Sequence, residues 1–327
     1  MKDNKINRKI TFAEAINESL HQSMKKNKNL LLMGLGITDP KAVFGTTKGL
    51  LKSFGSNRVI ETPTSENAIT GIAIGSAINN NPVVLTHQRV EFALLSMDQI
   101  INQAAKWYFM TAKKKSVPIV IRLVIGRGWG QGPQHSQTLE ILFSHIPGLK
   151  VVCPFSAYDA KGMLNASIRD KNPVIFFEHR WLHQTTSYVP MNYYEIDLNK
   201  ANIIKKGLSI TLISFSYGII ECLKASEILN KFNISCEIID LRVLHELDKK
   251  TIINSVKKTK KVIVVDNGWS KYGISAEIIS VIIEEIGLDL QYKPIRLGNM
   301  QTSLPSTRHL AKYWYLSHQD IVRKVCK

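Results

Sequence analysis

Short runs of β-branched and other apolar residues alternate with stretches of helical period along almost the whole chain, and this alternation restricts the fold more than any other feature. Strand-like runs fall at Leu30–Gly34, Arg58–Glu61, Pro82–Thr86, Val117–Ile125, Lys150–Pro154 and Pro173–Glu178. Helix-like stretches lie between them, at Thr11–Lys26, Ser65–Asn79, Glu91–Ala112 and Ser156–Arg169. The run VPIVIRLVIG is apolar at both alternating positions, as in a strand of a parallel sheet covered on both faces. From about His183 to Gly207 the pattern lapses into polar and aromatic residues with Pro190, which reads as a linker. A second series then begins with LSITLISFS and continues through CEIIDL, KKVIVVD and Gln291–Leu297, with helices near Ile219–Asn230, Asp248–Lys257 and Ile274–Ile286. The expected fold is α/β with two doubly wound domains, residues 1–190 and 207–327, joined by a linker over 191–206.

Charge and cysteine content exclude several function classes. The formal charge of +17 comes from lysines scattered along the chain, with clusters at Lys2–Lys9, Lys113–Lys115 and Lys257–Lys261. Nucleic-acid binding wants basic residues on one stripe interleaved with stacking aromatics, and these are separated by long apolar-periodic segments instead. A solvated surface, or attraction for anionic substrates and an acidic partner, suits them better. The four cysteines form no C-x-x-C pair, which argues against a zinc site or a disulfide framework and fits a reducing cytoplasm. The N-terminus is charged with no apolar segment after it, so no secretory signal is expected, and no apolar run reaches the roughly 18–20 residues of a membrane helix.

Three segments offer chemistry. The stretch Gly126-Arg-Gly-Trp-Gly-Gln-Gly132 follows a strand, but G-x-G-x-x-G fails in it, with Gln131 or Pro133 at the third glycine position. In Thr62-Pro-Thr-Ser-Glu-Asn, Ser65 is a good N-cap and Glu66 opens a helix with Gly71 and Gly75 on one face, a pattern that suits tight packing. From spacing alone Glu66 reads equally as a first-turn carboxylate complementing the helix dipole. His135, in Gln-Gly-Pro-Gln-His-Ser-Gln137, reads as a loop histidine, and Phe92 as core packing.

Taken together, TFAEAINESL, VFGTTKGLLKSFGSNRVIETPTSENAITGIAIGSA, MDQIINQAAKWYFM, GPQHSQTLEILFSHIPGLKVVCP and YDAKGMLNASIRDKNPVIFFEH resemble the beta subunit of the thiamine-dependent, decarboxylating first component of 2-oxo acid dehydrogenase complexes. That family belongs to the transketolase-like superfamily, so the resemblance implies a thiamine-diphosphate pyrimidine-binding domain followed by a transketolase C-terminal-like domain. It implies that Glu66 hydrogen-bonds N1′ of the cofactor's aminopyrimidine and that Phe92 stacks on that ring, with Thr64 of the same T-P-x-S-E motif also at the cofactor. His135 would stand at the substrate side as acid–base or oxyanion donor. A potassium site would map to Ile119, Ser167, Ile168, Asp170 and Asn172. The diphosphate and its Mg2+ are held in such enzymes by a G-D-G segment followed by Asn, and this chain has no G-D-G. They would therefore sit on an alpha subunit, in an α2β2 assembly active only when complete.

Departures from the family pattern bear on the substrate. The acid usual after the first strand is missing from Gly34-Leu-Gly36; Thr86-His-Gln-Arg-Val-Glu91 carries an extra residue and two basic groups; Lys113–Lys115 replaces a glycine pair; and Arg180-Trp-Leu-His183 lacks an acid. Gly132-Pro-x-His135 also resembles the G-P-x-H pattern of transketolase. A cationic pocket built from His87, Arg89 and Arg180 would suit a sugar phosphate or a polar 2-oxo acid. These residues would otherwise pair with acids at a subunit interface. Three readings stay open: decarboxylation of a 2-oxo acid with acyl transfer to a lipoyl-bearing acyltransferase, transfer of a two-carbon ketol or acyl unit to an aldehyde or sugar, and a non-catalytic interaction protein that retains the fold.

Overall fold

The computed structural model describes residues 8–126 and 130–326. Thirteen strands run in chain order among these residues. β1 is Lys9–Thr11, β2 Leu31–Gly34, β3 Val59–Glu61, β4 Val83–His87, β5 Ile119–Ile125, β6 Lys150–Val152 and β7 Val174–His179. β8 is Thr186–Tyr188, β9 Asn202–Lys205, β10 Ile210–Ser214, β11 Cys236–Asp240, β12 Val262–Trp269 and β13 Ile295–Asn299. They divide between two compact units. One runs to Ile125 and resumes over Leu142–Leu198; the other takes Gly126–Ile141 and Asn199 onward.

The first unit is built on a six-stranded sheet in the order β3-β2-β4-β5-β7-β6, all parallel. Every residue of β4, β5 and β7 is buried, which is why these runs are apolar on both faces. The helix Phe12–Lys26 starts on a capping box, in which Thr11 Oγ1 accepts from Glu14 N–H at 3.1 Å and Thr11 N–H donates to the Glu14 carboxylate at 2.8 Å. It packs against the helix Ala157–Arg169, where Ser19 donates to Asn165 Oδ1 at 2.7 Å. Lys161 on the second helix is fully buried and donates to Glu18 at 2.6 Å and to the carbonyls of Pro190 and Asn192 at 2.6 and 2.8 Å, which compensates its desolvation.

A second buried charge cluster crosses the sheet itself. Arg122 on β5 donates to Glu178 on β7 at 2.6 Å and lies 3.4 Å from Thr86 Oγ1 on β4, while His183 Nε2 sits 3.2 Å from the other Glu178 oxygen. Burial alone would push the Glu178 carboxyl up, but the Arg122 guanidinium and the His183 contact outweigh it and bring it down to about 2.

The stretch expected as one helix over Glu91–Ala112 is wound in pieces. An α turn at Val90–Ala93 tightens to a 3-10 turn at Leu94–Ser96, widens to a π turn at Gln99–Ala104, and returns to α over Ala105–Met110. The wide turn faces the helix Glu66–Ile78, where a Cβ on Gly71 would come 3.2 Å from Gln99 Oε1. Gly71 therefore packs tightly, as its spacing suggests, whereas Gly75 faces open space and Ile72 is 62% exposed.

The second unit has a five-stranded sheet in the order β13-β12-β10-β11-β9, parallel except for β9 at the edge. β9 comes from the stretch expected to link the domains. The last strand lies at Ile295–Asn299, a few residues beyond the expected run. Gly126–Ile141 joins this unit because Gly130 and Gly132 approach Ser306, and Thr138 approaches Gly268. Cys153, Cys222 and Cys236 are buried free thiols that act as small apolar side chains. No described helix is long and apolar enough to cross a membrane.

Replacing Arg122 by Met should destabilise the chain by about 3–5 kcal/mol in chemical denaturation, because it strands a buried carboxylate. A cost near zero would show that the cluster contributes nothing to the sheet.

Candidate functional site

In an open parallel sheet, ligands bind beyond the carboxyl ends of strands where the chain order reverses. In the first unit that point lies at β2, whose sequence neighbours β3 and β4 pair on its opposite sides. A narrow cleft of about 20 Å³ opens there. Gly34 at the end of β2, Leu35 after it, Thr62 after β3, His87 at the end of β4, Glu66 and Phe92 all line it.

Glu66 is the first residue of its helix and half-buried. Ser65 precedes it as N-cap, but its side chain makes no capping bond. The helix start therefore presents its carboxylate beside the cleft rather than closing on its own cap. Phe92 enters from the short turn Val90–Ala93, so one carboxylate and one aromatic ring share a single cavity. Thr64 is exposed on the loop and is not part of the lining. The loop after β2 is held by Glu61, which accepts from Gly36 N–H and from Thr38 N–H at 2.9 Å, and by Gln88, which donates to Leu35 O at 3.2 Å. Gly36 has φ +74°, and a Cβ there would collide with the Gln88 amide, so only glycine fits.

The three residues expected to make the pocket cationic differ in state. His87 is buried, its Nε2 3.4 Å from Thr70 Oγ1, and burial pushes its imidazole down to about 4, so it carries no charge at neutral pH. Arg89 is buried within 3.5 Å of Glu91. Arg180 lies over the Phe44 ring at 4.2 Å; burial and the nearby charge of Arg89 both lower its pKa. His179, in the same cluster, is pushed down to about 3 by burial, with His183 and Arg89 adding to the effect. Positive charge thus gathers at Arg89 and Arg180, while the wall beside Glu66 is polar and neutral.

His135 belongs to the second unit, on the 3-10 turn Pro133–His135. Gly132 before it has φ +72°, and a Cβ there would meet Ser306 Oγ at 2.7 Å. Arg127, Gly128 and Trp129 of the glycine-rich stretch lie outside the described residues. A cleft of about 50 Å³ beside the turn is lined by Ser136, Gln137, Thr138, Trp269 and Trp314. Glu140, just beyond, is buried, and burial together with the Asp266 carboxylate pushes its carboxyl up to about 8. Asp266 is itself raised by burial, although it accepts N–H bonds from Ser275 and Gly268.

At the positions mapped for potassium, the Asp170 carboxylate is engaged by Lys150 at 2.5 Å and by Asn172 N–H at 2.9 Å, and the Ser167 hydroxyl donates to Met163 O at 2.7 Å. An ion there would draw on main-chain carbonyls. Among the described residues, no group of three or more His, Cys, Asp or Glu side chains is placed to hold a metal.

Two residues of consequence escape a reading of the sequence. Thr62 looks like part of a turn before Pro63, yet it is buried in the cleft wall. Glu140 looks like a helix-start acid, and nothing local signals that Asp266 lies near it.

The chain is similar to known proteins along almost its whole length. Residues 8–185 match the family model of the transketolase pyrimidine binding domain, and residues 199–321 that of the transketolase C-terminal domain. The pyruvate dehydrogenase E1 component subunit beta of Rickettsia felis is 36% identical over 321 residues, covering 97% of this chain and 98% of the relative. The mitochondrial protein of that name from Bos taurus is 33% identical over 323 residues, covering 97% and 90%. A solved structure described as a split gene transketolase, an inactive beta4 tetramer, superposes with a TM-score of 0.76 over 97% of each chain at 16% identity, a likeness of fold.

The raised Glu140 carboxyl has a definite pH signature. Its folded pKa of about 8 lies above its ordinary 4.5, so its cost to stability is absent at acid pH and grows as pH rises from 4.5 to 8. Glu140→Gln should therefore melt higher than wild type at pH 8 and match it near pH 4.5. An advantage confined to acid pH would contradict the assignment.

Proposed function

This chain belongs to the family of pyruvate dehydrogenase E1 component beta subunits, and from that premise we propose that it is the thiamine-diphosphate-activating half of a two-chain enzyme acting on a 2-oxo acid. The observation that carries the proposal is the cleft at the β2 switch point, where Glu66 and Phe92 line one cavity. Thiamine diphosphate, when bound, supplies a thiazolium carbon that attacks the carbonyl of the substrate. Glu66 would hold the aminopyrimidine through N1′ and would share a proton with it. Phe92 offers apolar area to the ring and fixes its orientation. The apolar side chains of Leu35, Ile69 and Leu85 limit water in the cleft and strengthen the Glu66 bond. His135 serves the substrate side as acid–base or oxyanion donor. The diphosphate and Mg2+ are assigned to an alpha chain in an α2β2 assembly, because this sequence lacks G-D-G. Acyl transfer to a lipoyl-bearing acyltransferase would follow, and potassium, where bound, would be structural.

One observation favours a second reading, transfer of a two-carbon unit to an aldehyde or sugar. Arg89 and Arg180 lie near each other, outside the lining of the Glu66 cleft, and two cations there would suit a polar or phosphorylated substrate more than a small apolar one. Turnover of a 2-oxo acid with ferricyanide, against turnover of a ketose donor plus an aldose acceptor, separates the two.

In the assembled enzyme, Glu66→Gln should leave assembly intact and lower turnover at least about a hundredfold. Near-normal turnover would refute the cofactor role. Arg89→Ala should raise KM for an anionic substrate about tenfold, the loss of one charged hydrogen bond. An unchanged KM for every anionic substrate would remove Arg89 from the substrate site.

A further inference from the structure

The segment that carries His135 is seated on a loop held by two tryptophans. Residues 300–307 connect β13 to the helix Arg308–Trp314, and of these only Leu304 is buried. A loop so exposed is fixed by few contacts. Leu304 packs with Ala311 and Trp314, and Trp269 lies against the same cluster. Thr302 O accepts from both indoles, from Trp314 Nε1–H at 2.8 Å and from Trp269 Nε1–H at 3.3 Å, and the two rings meet edge to face at 6.3 Å. A carbonyl oxygen has two lone pairs and takes both donors, so each indole ties the loop down at Thr302.

The same loop meets the His135 segment. A Cβ on Gly132, whose φ is +72°, would come 2.7 Å from Ser306 Oγ, and one on Gly130 would come 3.4 Å from Ser306 O. Glycine at 132 is what lets the two stretches approach so closely. His135 N–H in turn donates to Gly132 O at 3.4 Å. Pro133 of the turn and Ser136 just after it share the cleft of about 50 Å³ with Ser303, Leu304 and both tryptophans. The base of the segment is held separately, by Gly126 N–H donating to Gln137 O at 3.1 Å. We propose that Trp269, Trp314 and Ser306 are positioning residues for His135, acting through the Thr302 carbonyl and Gly132. The inference rests on the reading of His135 as a group at the substrate side. A histidine that moves a proton or meets an oxyanion has to stand within hydrogen-bond reach of it, about 3 Å. Misplacement by about 1 Å can cost about a hundredfold in rate. A short turn entered through a positive-φ glycine does not fix such a position by itself; the loop staked on Thr302 O does.

Trp269→Phe and Trp314→Phe each keep an aromatic ring and remove one N–H, and Ser306→Val adds bulk against Gly132 from an exposed position. In the chain with its copurified partner, each should lower kcat about five- to tenfold, while KM and the affinity for Mg-thiamine diphosphate stay within about twofold. A double-mutant cycle with His135→Ala separates positioning from a general loss of structure. In that background the same substitutions should change kcat by less than about twofold, because the group they position is gone. Equal losses with and without His135, or unchanged kcat in the single variants, would overturn the inference. Ser306 is exposed, so its variant carries the test even where replacing the buried Trp314 prevents folding. The two levels are distinguishable. If His135→Ala turns over like wild type, the reading of His135 falls and the inference with it; if His135→Ala is impaired and the other substitutions cost the same in both backgrounds, the inference alone falls.

Discussion

Parallel pairing of β2 with both β3 and β4 governs where chemistry sits in the first unit. Strands buried on both faces present nothing along their length, so only their ends and the loops beyond them can meet a ligand. The pairing places the ends of three strands side by side. That brings Gly34, Thr62 and His87 to one cleft, although they lie far apart in sequence. The helix following β3 then starts at the same point, and Glu66 is its first residue. Residues with no local relation become one site through the order of the sheet.

The electrostatics follow from the same geometry. Deep in the sheet, Arg122 neutralises Glu178, so the buried carboxylate behind the strand ends puts no uncompensated charge into the unit. His87 stays neutral because it is buried without an acid beside it. Arg89 and Arg180 keep their charge close to Glu91 and Phe44. Among the described residues, the side chains that line the cleft beside Glu66 carry no formal charge.

Much of this was legible in the sequence, for physical reasons that also mark where legibility ends. β5 and β7 announce themselves because burial on both faces demands unbroken apolar runs. Glu66 is visible as a helix-start acid, and family resemblance, not spacing, gives it a role. The π turn at Gln99–Ala104 is invisible because its residue types are those of an ordinary helix. Gly75 misleads because a glycine pair four apart signals close packing only when both neighbours are present, and here only Gly71 has one. The charge expected of His87 fails because sequence does not report desolvation. Gly126–Ile141 joins the second unit through contacts with Gly268 and Ser306, more than a hundred residues away and beyond any local pattern.

The central claim is that Glu66 activates a cofactor whose diphosphate another polypeptide must hold. Calorimetric titration of Mg-thiamine diphosphate into the isolated chain, and then into the chain with its copurified partner, tests this most directly. The account predicts no Mg-dependent tight binding to the chain alone and tight binding once the partner is present. Tight, Mg-dependent binding by the isolated chain would contradict it.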